Sequence, residues 1–435
     1  MSAEADRDET RADERAERRF QIQVHRNLTR NYLAHLAHGM LSQTGFRLLN
    51  APTFMPAYIM LLSGGSNIAV GLSSALQSFG MTLTPMLGAN LIEHRKRVLP
   101  VAFSTGWGMR GMILAISLCG LVLPSPWALW ALMVSLAVFG LFQGMQGVIF
   151  NFLMAKLIPS SKRGRLTGMR NFLAGIISAM IAWISGHFLV GDSPTAAGYS
   201  YTFLLAFVLT SIGLSSLAAV REPEPPTVRP KEPLRSRLAQ VPALLADDSA
   251  FTRYFVARAI ATLGRMAMPF YILHEGRAAA LSGSTLGILT FAFTLSGTAS
   301  NLLWGPLGDH RGFRASFLGS IGLWVASTIL LMLVSGTLWV TVLVFVGIGA
   351  AAQGFQNAAQ NMTLEFGSRN DLPVRIAIAN TASELAGTIG PLVGGALAAA
   401  AGYRAVFVVS IAFLVLGGVV VARYVPEPRK NEDLT

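Results

Sequence analysis

Glu384 is the residue whose chemistry can be read most directly from this sequence of 435 residues. We place it deep within a predicted membrane-spanning helix, about nine residues or ~13 Å from the helix start at 1.5 Å per residue. A carboxyl group held away from water can carry a proton near neutral pH. We therefore predict that Glu384 is a proton-coupling residue, with a structural pair to a buried arginine as the alternative.

Two histidines, His35 and His38, lie three residues apart in the first predicted helix. This spacing suits a pair of metal ligands, but the sequence offers no third ligand, so we predict neither a metal site nor any other cofactor. His38 is a second candidate for proton coupling, because the imidazole group titrates near neutral pH. The simpler alternative is a hydrogen bond between neighbouring helices.

Amide side chains follow helical spacing in two predicted helices. The fuller set is Gln353, Gln356, Asn357, Gln360 and Asn361, and the other helix carries Gln143, Gln146 and Asn151. A polar stripe that faced lipid would be costly, so these faces must meet protein or water. We predict that Gln143, Gln146, Gln353, Gln356 and Asn357 bind a polar solute. The alternative is interhelical hydrogen bonding, at roughly 0.6 kcal/mol for each bond.

Four arginines lie inside predicted helices: Arg47, Arg110, Arg258 and Arg265. A guanidinium group binds carboxylate and phosphate groups through paired hydrogen bonds. We predict that Arg47 and Arg265 hold an anionic group of a substrate. For Arg110 and Arg258 we favour structural pairing or a side chain that reaches toward the membrane surface.

The elements that position these residues are long apolar helices. The chain is 52% hydrophobic and 13% charged, whereas roughly 25% charge is usual for a soluble protein. Runs of 18 or more apolar residues predict membrane-spanning helices. We predict twelve of them, near 31–60, 67–91, 98–122, 127–155, 166–190, 199–220, 250–274, 284–307, 314–335, 338–364, 374–400 and 403–424.

The basic residues predict the orientation of the chain. Almost all of the 34 Lys and Arg residues fall in segments on one side of the predicted helices, and only Arg277 and Arg404 fall on the other. The positive-inside rule therefore places both termini in the cytosol, and we expect a multi-pass protein of the bacterial inner membrane. This asymmetry also accounts for the net charge of +12 without nucleic acid. The basic loops are expected to contact lipid headgroups.

The chain divides into two halves that resemble each other. Prolines concentrate in the segment 221–249, which we interpret as a linker between one bundle at 31–220 and another at 250–424. A cytosolic tail at 1–30 and a short tail at 425–435 complete the chain. The pattern Gln143-Gly-Met-Gln146 in the first bundle recurs as Gln353-Gly-Phe-Gln356 in the second. The predicted fold is thus all-α and integral to the membrane, with two pseudo-symmetric six-helix bundles and a solute site between them.

One cytosolic loop carries a family resemblance. Gly305-x-x-x-Asp309-His-Arg311-Gly-x-Arg314 resembles the signature loop of the major facilitator superfamily. A degenerate copy lies between the second and third helices, with Glu93 in place of the aspartate. Acidic groups at helix ends can accept bonds from nearby helix N-termini and basic side chains. We therefore interpret Glu93, Asp309, Arg311 and Arg314 as gating residues that latch one state of the molecule.

The resemblance implies secondary transport of a small solute by alternating access, and Glu384 favours proton coupling. The element Gly390-Pro391-Leu-Val-Gly394-Gly395 resembles one found in drug:proton antiporters, but it lies in the symmetry-related helix. The solute class stays open between an anionic compound and a hydrophobic organic compound. We expect a monomer and no enzymatic activity. The alternative is a non-transporting membrane protein of the same fold, acting as a sensor or an assembly factor.

Overall fold

The computed structural model describes residues 15–82, 84–226, 241–278, 281–334, 336–366 and 372–426. Within these residues the chain is almost entirely helical and contains no strand. Most of the predicted N-terminal tail and most of the proline-rich linker lie outside the described residues.

From Leu28 onward, the described residues of the first half form eight α-helices. They are α1 (Leu28–Asn50), α2 (Phe54–Leu62), α3 (Asn67–Met81), α4 (Thr84–Ile92), α5 (Leu99–Val122), α6 (Ser125–Leu157), α7 (Ser160–Ile184) and α8 (Ala196–Ser216). A π-helical turn, Ser185–Val190, extends α7, and a 3₁₀ turn, Leu217–Ala219, extends α8.

The second half follows the same plan after a short helix at its start. Its helices are α9 (Val241–Asp247), α10 (Ser249–Leu263), α11 (Met268–Ala278), α12 (Gly283–Ala299), α13 (Asn301–Arg311), α14 (Phe313–Leu333), α15 (Leu338–Glu365) and α16 (Leu372–Tyr424). A 3₁₀ turn, Gly264–Ala267, joins α10 to α11.

The described residues contain nine helical segments that are long and apolar enough to cross a membrane. The first two predicted spans are broken, because α1 and α2 are separate helices, as are α3 and α4. Ala51 precedes Pro52 and adopts an extended backbone, as proline requires of the residue before it. The last segment contains two predicted spans that turn at Gly402, where φ is 80° and ψ is 175°. The count of twelve therefore stays a prediction, while the nearly all-helical membrane fold is confirmed.

The two halves pack closely at their edges. We call the side that carries Leu28 and Ser249 the linker side, and the side that carries Leu62 and Gly402 the distal side. Helix α3 packs against α16, and α7 packs against α12. A Cβ atom on Gly71 would collide with the backbone of α16, so the missing side chain permits this approach.

Hydrogen bonds join the halves on the distal side. The Tyr403 hydroxyl donates to the side-chain oxygen of Asn67 at 2.8 Å, and the Gly283 amide donates to the Gly191 carbonyl at 2.6 Å. Arg277 stacks on the Tyr403 ring, with its guanidinium carbon 4.3 Å from the ring centre. The distal ends of the bundles are therefore fixed to each other.

Candidate functional site

A cavity of about 610 Å³ lies between the two halves. Its charged lining residues are Arg47 from α1, Arg265 from the 3₁₀ turn before α11, and Glu384 from α16. Eight amide side chains share the lining: Gln43, Asn50, Gln77, Gln143, Asn171, Asn301, Gln353 and Gln356. Both halves contribute to this set, so the cavity lies at their interface, and apolar side chains such as Phe46 and Leu136 complete its lining.

Glu384 faces the cavity between basic groups. Its strongest electrostatic interaction is with Arg265, followed by Arg258. Among the described residues no direct ion pair joins Glu384 to either arginine, and its carboxylate accepts no hydrogen bond. The carboxylate is therefore near cations yet not bonded to them, so its oxygens remain available to a proton.

The two cavity arginines differ in how they are held. Arg47 is half-buried, and its Nη1 donates to the Thr298 hydroxyl of the other half at 2.8 Å. Arg265 is exposed to the cavity, and the main-chain carbonyl of the preceding Gly264 accepts a bond from Ser410. Each guanidinium has five N–H donors, so both retain donors for an anionic group.

The predicted amide residues divide into two groups. Gln143, Gln353 and Gln356 line the cavity. Asn357 lies outside the lining, where its side-chain oxygen accepts a bond from Gln353 at 2.8 Å and its amide nitrogen donates to Asn301. Asn357 therefore holds cavity-lining residues in place from behind.

A second amide network belongs to the first half. The amide nitrogen of Gln77 donates to Asn50 at 2.6 Å and to Gln143 at 3.1 Å. These bonds connect α3 with α1 and α6 at the point where α1 ends. The network fixes the orientation of three cavity-lining side chains.

Gln146 and His38 do not reach the cavity. Gln146 is buried against α5, where its amide nitrogen donates to the Ala102 carbonyl at 3.2 Å and to the Thr105 hydroxyl. His38 is buried against α8, with its Nδ1 3.0 Å from the Gly213 carbonyl. Both side chains take part in packing within the first half, and the structure does not bring either of them near Glu384.

The predicted gating residues lie at the linker side. Glu93 follows α4, and Asp309 and Arg311 lie in the last turn of α13. Glu93 and Asp309 both have interaction partners, and Arg314 donates to the main-chain carbonyl of Ala422. The turn between α13 and α14 depends on a glycine, since Gly312 has a φ of 84°. The gating role itself stays a prediction.

Arg110 and Arg258 are bonded inside their own halves. Arg110 is fully buried and donates to the Thr210 carbonyl at 3.0 Å and to the Ser42 hydroxyl at 2.9 Å. Arg258 donates to Thr363 at 3.0 Å and to Asn380 at 3.1 Å. These hydrogen bonds fit the predicted structural role of Arg110 and Arg258. In both cases the acceptors are neutral groups.

Sequence reasoning left several cavity residues out of the site: Gln43, Asn50, Gln77, Asn171 and Asn301. None of them belongs to the two amide stripes at 143–151 and 353–361, and a search for every amide in the predicted spans would have found them. A second buried carboxylate, Glu275, was also missed because it lies near the distal end of α11, where its side chain accepts a bond from Thr341 at 2.7 Å.

The family is settled by a match along almost the whole chain. A family model described as Major Facilitator Superfamily matches residues 39–274 and 254–435. The chain belongs to the major facilitator superfamily. The first matched segment runs through the first half and the linker into α11, the second covers the rest of the chain from α10 onward, and the family places the chain among multi-pass membrane transporters.

Known relatives agree with this membership. The chain is similar to the multidrug resistance protein MdtG of Escherichia coli O9:H4 (strain HS), with 25% identity over 404 residues that cover 90% of this chain and 94% of MdtG. The fold is similar to that of a D-xylose-proton symporter, with a TM-score of 0.71, 14% identity and coverage of 92% and 99%. It is also similar to the nucleoside transporter NupG, with a TM-score of 0.70, 13% identity and coverage of 90% and 100%.

Proposed function

We propose that this superfamily member transports an organic anion by alternating access, and that a proton on Glu384 moves with it. The observation that carries the proposal is the charge arrangement of the cavity. Arg47 and Arg265 belong to opposite halves, and Glu384 interacts with Arg265 from the same chamber. A solute with a carboxylate or phosphate group suits two guanidinium groups, because each forms charge-assisted hydrogen bonds to such oxygens.

The coupling follows from competition for Arg265. When Glu384 is ionised, its negative charge attracts Arg265 and so competes with an anionic solute. When Glu384 is protonated, this competition ends and Arg265 binds the solute more tightly. Linkage then requires that a bound anion also favours the proton on Glu384. Proton and anion are therefore carried in the same direction.

Transport of radiolabelled solutes into proteoliposomes with an imposed pH gradient tests this proposal. The panel contains monocarboxylates, dicarboxylates, organic phosphates, neutral sugars, nucleosides and lipophilic cations. We expect an acidic exterior to drive accumulation of at least one of the organic anions. Flux of neutral or cationic solutes alone would contradict the anion assignment.

The Glu384→Gln variant separates coupling from transport. We expect it to retain exchange of labelled for unlabelled anion across the membrane, since exchange needs no net proton movement. It should lose accumulation driven by the pH gradient. Glu224→Gln is the matched control, because Glu224 is an exposed carboxylate in a surface ion pair with Arg97. Full pH-driven accumulation by Glu384→Gln would refute the coupling role.

A second candidate function is movement of hydrophobic organic compounds. Four methionines, Met55, Met81, Met266 and Met268, share the cavity lining, and methionine adapts to varied apolar ligands. The 25% identity to MdtG points in the same direction. In the solute panel this candidate predicts flux of the lipophilic cations, with little effect of Arg47→Gln. A sensor or assembly factor of the same fold would give no flux of any solute.

A further inference from the structure

One face of α1 carries a row of four residues that runs from the linker side to the cavity. His35, Gly39, Gln43 and Arg47 are spaced four residues apart, so each lies ~6 Å further along the helix than the one before it. Gln43 and Arg47 line the cavity. His35 is buried at the opposite end of this row, nearer to the linker side.

Arg170 of α7 completes the row. Its side chain crosses α1 at Gly39, where a Cβ atom would overlap the Arg170 side-chain carbons. Gly39 thus provides the space in which this arginine lies between the levels of His35 and Gln43. Arg170 and His35 interact electrostatically. Arg170 was not among the four arginines predicted to lie inside helices, but α7 begins at Ser160 and carries it into the bundle.

Three buried polar atoms in this row have no hydrogen-bond partner: His35 Nε2, Arg170 Nε and Gln43 Oε1. A buried donor without a partner costs roughly 1–3 kcal/mol, and more when it is charged. Helices α1 and α7 carry no carboxylate that could relieve this cost, since no Asp or Glu occurs between Glu17 and Glu93 or between Glu93 and Asp192. Arg170 Nε, and His35 Nε2 when it carries the proton, therefore lack an acceptor, whereas Gln43 Oε1 lacks a donor.

We infer that His35 and Arg170 form a second anion site, which receives the carboxylate or phosphate group of the solute between the linker side and Arg47. Arg170 Nε is a donor at every physiological pH, and His35 Nε2 donates in one of its two neutral tautomers. The Gln43 amide can rotate to present its N–H₂ group and pass the anion to Arg47, one helical turn away. That the bound anion is the transported solute rests on the proposed function. That the site binds an anion does not.

Anion-dependent thermal stability of the purified full chain in detergent tests the site directly. Sodium succinate and sodium sulfate are the probes, at constant ionic strength. We expect wild-type protein to be stabilised by several degrees, Arg170→Gln to lose at least half of that shift, and Arg170→Lys to keep an intermediate shift. Arg404→Gln removes an exposed distal arginine and should leave the shift unchanged. An absent wild-type shift, or an unaltered shift in Arg170→Gln, overturns the inference.

Transport from the two sides tests the route. For an anion that the wild-type protein carries, we expect Arg170→Gln to raise KM at least fivefold from the linker side and to leave KM from the distal side unchanged. Equal changes on both sides would refute the role in entry. If no anion is carried but the anion-dependent stabilisation depends on Arg170, the proposed function fails and the binding site stands.

Discussion

The two halves of this transporter treat buried charge in different ways. The first half contains Arg47, Arg110 and Arg170 within its bundle, and its helices carry no Asp or Glu. The second half contains Arg258 and Arg265, and both interact with Glu384. A cation buried without a counter-ion is unfavourable, so the first half gains most from an anion in the cavity. We infer that the first half supplies much of the anion binding and that the second half supplies the proton.

Neutral groups compensate part of the charge in the first half. The Arg110 guanidinium is surrounded by main-chain and hydroxyl oxygens and also faces the Phe46 ring, at 5.4 Å from the ring centre. Arg47 lines the cavity and Arg170 has a buried Nε without a partner. The difference between the halves is therefore largest beside the cavity.

Removal of either cavity arginine should have the largest effect. We expect Arg47→Gln and Arg265→Gln each to lower kcat/KM for the transported anion by about 100-fold, because roughly 3 kcal/mol of charge-assisted hydrogen bonding is lost. Initial rates of uptake into proteoliposomes measure this effect. Lysine at either position should restore part of the rate. Equal rates for Arg47→Gln and wild-type protein would show that Arg47 does not bind the anion.

A carboxylate added to the first half should remove the difference between the halves. Gln43→Glu places a negative charge one helical turn from Arg47, where it competes with the solute for the guanidinium. We expect the affinity for the anion to fall by about 10-fold, which corresponds to ~1.4 kcal/mol. Gln43→Met is the control for loss of the amide alone. Equilibrium binding of the labelled anion distinguishes the two variants.

The pH dependence of anion binding should depend on Glu384. In wild-type protein we expect affinity to fall as pH rises, because an ionised Glu384 competes for Arg265. Glu384→Gln should abolish this slope and bind several-fold more tightly than wild-type protein at alkaline pH. Binding measured across a pH series checks both statements. A slope that persists in the variant would assign the proton to another group.

Substitution of Arg110 or Arg258 should have smaller effects on transport than the changes above, and the two variants should differ in their pH dependence. We expect Arg110→Met to lower the free energy of unfolding by about 1–3 kcal/mol, because acceptors such as the Thr210 carbonyl lose their partner. Its pH dependence of transport should be unchanged. Arg258→Met should also alter the pH dependence, since Arg258 interacts with Glu384. Thermal unfolding together with pH-dependent uptake resolves the two variants, and identical behaviour would contradict the contrast between the halves.

Much of the architecture was readable from the sequence. Long apolar runs predicted the helical membrane fold, because a membrane-spanning segment must satisfy its own backbone hydrogen bonds. The prediction that Arg47, Arg265 and Glu384 matter arose because charges within apolar runs are conspicuous. The structure brings these three residues to one cavity. Their roles in binding and coupling stay predictions.

The tertiary structure decided which polar faces meet. Gln143 and Gln146 are three residues apart, about 60° around a helix, and this angle suffices to place one in the cavity and the other against α5. Arg170 of α7 packs against the row of residues on α1 only because Gly39 has no side chain to block it. Composition and spacing determined that this protein is a two-bundle membrane protein with buried charge. Helical periodicity defines a face but not its neighbour, so only the packing of the halves determined where the cavity lies.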